Sequence, residues 1–178
     1  ICTAAVYGSA GEYAPFGIAA TLMVMIYAGG HISGAHYNPA VTVSIYLRGA
    51  CDKDEVLPYI ASQVIAAVSA ALVVESFFLP NPNLTSPVAA ELGNEAVVAE
   101  LLFTFALAYV ILNVATTEST SGNGYYGAAI ALVVLAGAIT VGSISEASFN
   151  PAVTSALIVS GKLTLADSWM HFVPQFVG

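Results

Sequence analysis

Asn38 and Asn150 are the residues of this chain best placed to do chemistry, and each is followed directly by Pro-Ala. Asn is among the strongest helix N-caps, and Pro is favoured at the first helical position, where its missing N–H costs nothing. Asn38-Pro39-Ala40 and Asn150-Pro151-Ala152 therefore each read as the start of a helix. The start of a helix carries the positive end of its dipole, and the Asn amide keeps N–H groups able to donate. Two such starts meeting inside a membrane would repel protons and metal cations. They would still offer hydrogen bonds to an uncharged solute that accepts them. One Asn-Pro-Ala says only that a helix begins; two in matched contexts point to a channel for neutral solutes.

The contexts do match. From Gly30 to Gly49 and from Gly142 to Gly161, the residues Gly, Ile, Ser, Ala, Asn, Pro, Ala, Val, Thr and Gly recur in the same order and register. A repeat of this length in an apolar chain implies two related halves, about 1–78 and about 93–178, within one domain covering 1–178. The chain is 58% hydrophobic and only 8% charged, with a mean hydropathy of +0.84. A soluble domain of 178 residues needs far more charge to cover its surface. This is an integral, multi-pass membrane protein, all-α, and its net charge of -8 argues against a nucleic-acid partner. Cys2 and Cys51 lie far apart without metal-ligand or disulfide spacing, so free thiols are expected.

The elements that must position the asparagines follow from apolar length and breakers. Ile1 to about Val6 reads as the tail of a first span, and Ala14 to about Ala28 as a second. Gly29 to Tyr37 reads as a loop. Asn38 to about Tyr46 is too short to cross a bilayer, which takes ~20 apolar residues, so it is expected to be re-entrant. Val56–Phe78, Glu95 to about Thr116 and Tyr125–Val141 read as the third, fourth and fifth spans. They are separated by a loop with Pro80, Pro82 and Pro87 and by the Ser/Thr/Gly connector from Glu118 to Gly124. Gly142 to Phe149 is a second loop, Asn150 to about Ser160 a second short helix, and Ser168 opens a sixth span that is cut off, so both ends look truncated. Three spans between equivalent points turn the second half over relative to the first. The short helices then enter from opposite faces and meet near the midplane. Arg48 and Lys53 after the first short helix place that side in the cytoplasm, which makes Asn83-Leu84-Thr85 an extracellular glycosylation sequon.

These motifs resemble the aquaporin, or major intrinsic protein, family over nearly the whole chain. HISGAHYNPAVT at 31–42 is similar to the family's first Asn-Pro-Ala loop almost residue for residue, and ISEASFNPAVT at 144–154 to the second. YIASQVIAA (59–67), AELLFTFALAYVI (99–111) and SWMHFVPQFVG resemble its third, fourth and sixth spans. The resemblance implies a right-handed bundle of six transmembrane helices with two re-entrant half-helices as an inverted repeat. It also implies passive conduction of water and small uncharged solutes, no cofactor, no metal, and a homotetramer in the lipid bilayer. The membrane is either the plasma membrane or a vacuolar-type internal one.

The family has a second constriction, which on this chain falls on Ile18, Ala138, Ala147 and Val153. Most relatives carry Arg directly after the second Asn-Pro-Ala, where this chain has Val153. Val adds no donor and no positive charge, and with Ile and two Ala it leaves the ring apolar and wide. The tonoplast-intrinsic branch also has Val there and passes ammonia and urea, so the resemblance implies permeability to the glycerol, urea and ammonia class. The alternative is ion or proton conduction, because the arginine is gone.

Glu146 stands where relatives usually have Gly. It either draws cations to the outer mouth or points away and bonds loop amides. His31 and His36 either line the cytoplasmic vestibule, with a pH-gating role, or fix the first loop by hydrogen bonds. Glu100 within a span is expensive unless paired, so it is expected to accept hydrogen bonds from loop backbone, with Gln63 in a similar bracing role. His171 reads as structural. Tyr125, Tyr126 and Trp169 read as interfacial aromatics, and Gly127, Gly137 and Gly142 as sites of close helix packing. An enzyme would need a nucleophile with a base, or clustered ligands. Only His31, His36 and Glu146 are candidates, so no enzyme is expected.

Overall fold

The computed structural model describes residues 8–78 and 88–178. The first-span remnant, Cys2, the three prolines at 80, 82 and 87 and the Asn83 sequon lie outside the described residues. Among the described residues seven α-helices follow one another: α1 (Ala14–Ser33), α2 (Pro39–Leu47), α3 (Lys53–Phe77), α4 (Asn94–Ala115), α5 (Tyr126–Ser145), α6 (Pro151–Val159) and α7 (Trp169–Val177). Four are long and apolar enough to cross a membrane: α1 with its leading 3-10 turn, α3, α4 and α5. The short helices α2, α6 and α7 are nine residues each. The fold is an all-α bundle, consistent with the aquaporin-like architecture.

The bundle is built inside out relative to a soluble protein. Large apolar side chains such as Phe16, Leu57, Ile65, Leu102, Phe105 and Ile139 are exposed on its outer surface. Glu100, Thr42, Thr154, His171 and Gln175 are fully or almost fully buried. A lipid solvent accepts the apolar exterior, while buried polar groups must satisfy one another. An apolar cluster of Ile26, Val41, Ile45, Leu107, Ile111, Ile130 and Phe149 joins α1, α2, α4 and α5 to the second loop. The short helices fill the interior: α2 packs on α3 and α4, α6 on α3 and α7, and α2 touches α6.

Two helices run further than the sequence suggests. The Gly29–Tyr37 stretch is not all loop, because α1 continues through Gly29, Gly30 and His31 to Ser33. The glycines there make room instead of breaking the helix. A Cβ on Gly29 would strike the Tyr37 hydroxyl, which donates to the Met25 carbonyl at 3.1 Å. Likewise α5 continues past Val141 to Ser145. Gly127 gives way to the Tyr27 ring at 3.0–3.1 Å, and Gly137 to the rings of Phe149 and Phe103. Gly142 has open space and plays no packing part.

This contrast is testable by thermal unfolding in detergent. Gly137→Val forces two rings apart and is expected to destabilise by about 1–3 kcal/mol, the usual range for overpacking. Gly142→Ala meets nothing and is expected to leave the midpoint unchanged or raise it, because Gly in a helix interior costs roughly 0.5–1 kcal/mol relative to Ala.

Candidate functional site: a cavity between two facing half-helices

The two Asn-Pro-Ala segments form the same local structure. Asn38 and Asn150 are extended N-caps with φ of -155° and -160°, and Pro39 and Pro151 open α2 and α6. Asn38 Oδ1 accepts the Ala40 N–H at 2.9 Å, and Asn150 Oδ1 accepts the Ala152 N–H at 2.9 Å. Each amide nitrogen then reaches across to the other half. Asn38 Nδ2 donates to the Phe149 carbonyl at 2.8 Å, and Asn150 Nδ2 donates to the Tyr37 carbonyl at 2.9 Å. Each cap thus secures the residue immediately before the other cap, and the two helix starts abut.

The loops before the caps share an unusual backbone. Gly34, Ala35 and Tyr37 have φ of 79°, 51° and 50°, while Glu146, Ala147 and Phe149 have 60°, 47° and 46°. Left-handed backbone costs a residue with a Cβ roughly 1–2 kcal/mol, so something must hold these loops in place. In the second loop the holder is Glu100, fully buried on α4. Its Oε1 accepts from Ser145 Oγ at 2.7 Å and the Ser148 N–H at 3.1 Å. Its Oε2 accepts from Ser148 Oγ at 3.2 Å, the Phe149 N–H at 2.8 Å and Gln175 Nε2 at 2.7 Å. Every partner donates, the arrangement a buried carboxylate requires.

The first loop is held differently. Tyr59 of α3 accepts the His36 N–H at 3.2 Å and donates to the Ser33 carbonyl at 2.7 Å. The His36 ring stacks on Tyr59 with centroids 4.4 Å apart, and its Nδ1 lies 3.2 Å from Thr42 Oγ1. Gln63 Nε2 donates to the same Thr42 hydroxyl at 3.0 Å, as Gln175 Nε2 does to Thr154 at 3.0 Å. Ser148 Oγ lies 3.0 Å from His171 Nδ1. Thr42 and Thr154, His36 and Ser148, Tyr59 and His171, and Gln63 and Gln175 all stand 112 positions apart, as do the two asparagines. Sequence reading singled out His36, Gln63 and Glu100 but passed over Tyr59, Thr42, Ser148, Thr154 and Gln175. Carrying that offset beyond the motif finds Thr42 with Thr154 and Gln63 with Gln175, whose types match; Tyr59 and Ser148 stand opposite other residue types and carry no such signal.

A cavity of about 1050 Å³ runs beside the facing caps, with Asn38 and Asn150 both in its wall. Ile18, Ala147 and Val153 are in its wall, and so are His31, His36 and Glu118. Ile18 and His31 lie on one helix, about 20 Å apart at 1.5 Å per residue. Ala138 is half-buried one turn beyond Val134 and does not line the cavity, whereas Val134 does. Glu146 is in the wall beside Ala147, but the loop amides are bonded to Glu100 and not to it. Its carboxylate faces Lys162, with Nζ 3.5 Å from Oε1. Burial pushes the Glu146 carboxyl up, and the nearby ammonium pulls it part of the way back. Cys51 is a free thiol, and no group of three or more metal-ligating side chains occurs among the described residues.

Abutting helix starts beside a cavity within an apolar helix bundle define a multi-pass membrane protein of the aquaporin-like class. The chain belongs to the major intrinsic protein family, which it matches over residues 9–136 and 125–178. It is 36% identical over 161 residues to a probable aquaporin NIP4-2 of Arabidopsis thaliana, covering 88% of this chain and 55% of that protein. It is 32% identical over 179 residues to a probable aquaporin AqpM of Archaeoglobus fulgidus, covering 96% and 72%. Aquaporin Z of Photorhabdus laumondii is 32% identical over 186 residues, covering 96% and 78%. The chain spans about half the length of NIP4-2 and several other curated relatives it matches. Members of this family are channel proteins and not enzymes.

Two outcomes follow from the loop fastenings. Glu100→Gln replaces an acceptor with an amide that turns donors toward donors, and it is expected to destabilise by about 2–4 kcal/mol. Circular-dichroism melts in detergent check this, with Glu75→Gln, a half-buried carboxylate near the end of α3, as a control expected to change little. Burial holds His36 below its ordinary 6.5. The unfolded chain takes up that proton before the folded loop does, so this stability is full above pH 6.5 and is lost as pH falls below it. Melts between pH 7.5 and 5 should show a falling midpoint that His36→Gln flattens.

Proposed function

We propose that this protein is a passive transmembrane channel for water and small uncharged solutes of the glycerol, urea and ammonia class. The observation that carries the reading is the crossed pair of asparagine caps beside the cavity. Each Asn amide has two N–H groups, and one is used in the bond to the opposite loop. The second remains for a solute, at a point where two helix N-termini concentrate positive potential. A neutral solute that accepts hydrogen bonds gains a donor there, and a cation meets repulsion. The site offers donors and positive ends, with no carboxylate at the caps to reverse the sign.

The recurrence of the same bonds 112 positions apart supports an inverted repeat. The complete channel would then have six spans and two re-entrant half-helices, and it would assemble as a homotetramer in a plasma or vacuolar-type membrane. Ile18, Ala147 and Val153 in the cavity wall support a filter without arginine, similar to the tonoplast-intrinsic type; Ala138, outside that wall, joins it on the resemblance alone. The rival is an ion- or proton-conducting channel of the same fold, favoured by the same Val153.

Stopped-flow vesicle measurements test the filter, and planar-bilayer recording tests the rival. Val153→Arg is expected to cut urea and glycerol permeability by an order of magnitude while reducing water less, because a guanidinium narrows the ring and adds charge. Equal loss of every solute, or no loss, removes Val153 from the filter. A voltage-dependent current through the purified wild type would replace the neutral-solute reading with the ionic one.

A further inference from the structure

Glu146 occupies a position at which its own backbone prefers glycine. At φ 60° and ψ 3° it caps α5 in the left-handed region, where Gly34 caps α1 at 79° and -10°. In the first loop a side chain is doubly unwelcome, because a Cβ on Gly34 would sit 3.2 Å from His36 Nε2. The second loop has Ser148 where the first has His36, so that space is open. The chain carries a carboxylate where glycine would be comfortable, on backbone of the strained kind that clusters at functional sites. The carboxylate is in the cavity wall together with the three expected filter residues Ile18, Ala147 and Val153, which are all apolar.

Its partner is equally specific. The chain has three Lys and Arg in all, and Arg48 and Lys53 lie beyond the C-terminus of α2 and outside the cavity wall. Lys162 is fixed by its backbone: its N–H donates to the Leu157 carbonyl at 2.9 Å, and its own carbonyl accepts the Ala90 N–H at 3.0 Å. Its ammonium stands 3.5 Å from Glu146 Oε1, with both side chains 24% exposed. Lys162 is not itself in the cavity wall. It sits behind the carboxylate, and no described residue donates a hydrogen bond to Glu146 Oε2.

We propose that the Glu146–Lys162 pair is the polar side of the outer constriction and sets its specificity, Glu146 accepting from neutral solutes that carry N–H or O–H donors while Lys162 cancels its charge. The inference rests on the neutral-solute reading above and names what that site prefers. Water, urea and ammonia all donate, but an amide such as urea offers several N–H groups to one acceptor. The constriction therefore favours urea-like solutes over what an all-apolar ring would pass. With the lysine in place the mouth carries no net charge from the pair, so the acceptor does not concentrate cations.

The test is a set of variants reconstituted in vesicles, with stopped-flow permeability to water and urea and with planar-bilayer current. Glu146→Gly restores the residue the backbone prefers, so folding is secure and a melt confirms it. It is expected to lower the urea-to-water permeability ratio about tenfold, the worth of one hydrogen bond. Glu146→Gln keeps an uncharged acceptor and should hold the ratio within about threefold of wild type. Lys162→Met leaves the carboxylate uncompensated and should open a cation-selective current, which Glu146→Gly in the same chain abolishes. An unchanged ratio in Glu146→Gly, or no current in Lys162→Met, overturns the proposal while leaving the channel reading intact. A wild type that passes neither water nor urea overturns the channel reading and this inference with it.

Discussion

The structure depends on two crossed hydrogen bonds, from Asn38 Nδ2 to the Phe149 carbonyl and from Asn150 Nδ2 to the Tyr37 carbonyl. A membrane interior offers no water to satisfy irregular backbone, so broken helices persist there only where protein satisfies them. Each asparagine does this twice, capping its own helix with Oδ1 and tying down the opposite loop with Nδ2. A Ser or Asp cap could serve the helix but has no amide to cross with. The requirement for Asn at both positions comes from this double duty, and the abutting helix starts follow from it.

The loops that deliver the caps are strained, and the polar core exists to hold them. Left-handed residues at Ala35, Tyr37, Glu146, Ala147 and Phe149 would relax without restraint. The restraints are buried side chains that would be costly alone: Glu100 with five donors, and the hydroxyl, imidazole and amide groups of Thr154, His171 and Gln175 around it. The same groups that a bilayer penalises become stable by satisfying one another. Lipid then accepts the apolar outer surfaces of α1, α3, α4 and α5 without further arrangement.

Much of this was legible in the chain because both signals are local. Apolar length marked the spans, and Asn-Pro marked the starts of α2 and α6 to the residue. The ends of α1 and α5 were misjudged because Gly29, Gly30 and Gly142 look like breakers. Whether a glycine ends a helix or admits the Tyr37 hydroxyl depends on a neighbour that folding alone brings near. A bracing role for Glu100 was readable from the cost of a carboxylate in a span. Tyr59 as the counterpart anchor was not, because its role comes from stacking on His36 across a loop. The Glu146–Lys162 pair was equally hidden: sixteen positions and a whole half-helix separate the two residues.

The unequal fastening of the two loops has a consequence for how the protein is made. Tyr59 reaches His36 over 23 residues, so the first loop can be secured while the ribosome is still early in the chain. The crossed bond from Asn38 spans 111 residues and cannot exist until Phe149 has been synthesised and inserted. Through that interval neither amide hydrogen of Asn38 has a protein acceptor. The aromatic anchor in the first half and the carboxylate in the second thus suit their places in the order of synthesis, one loop waiting for the other before the two caps can cross.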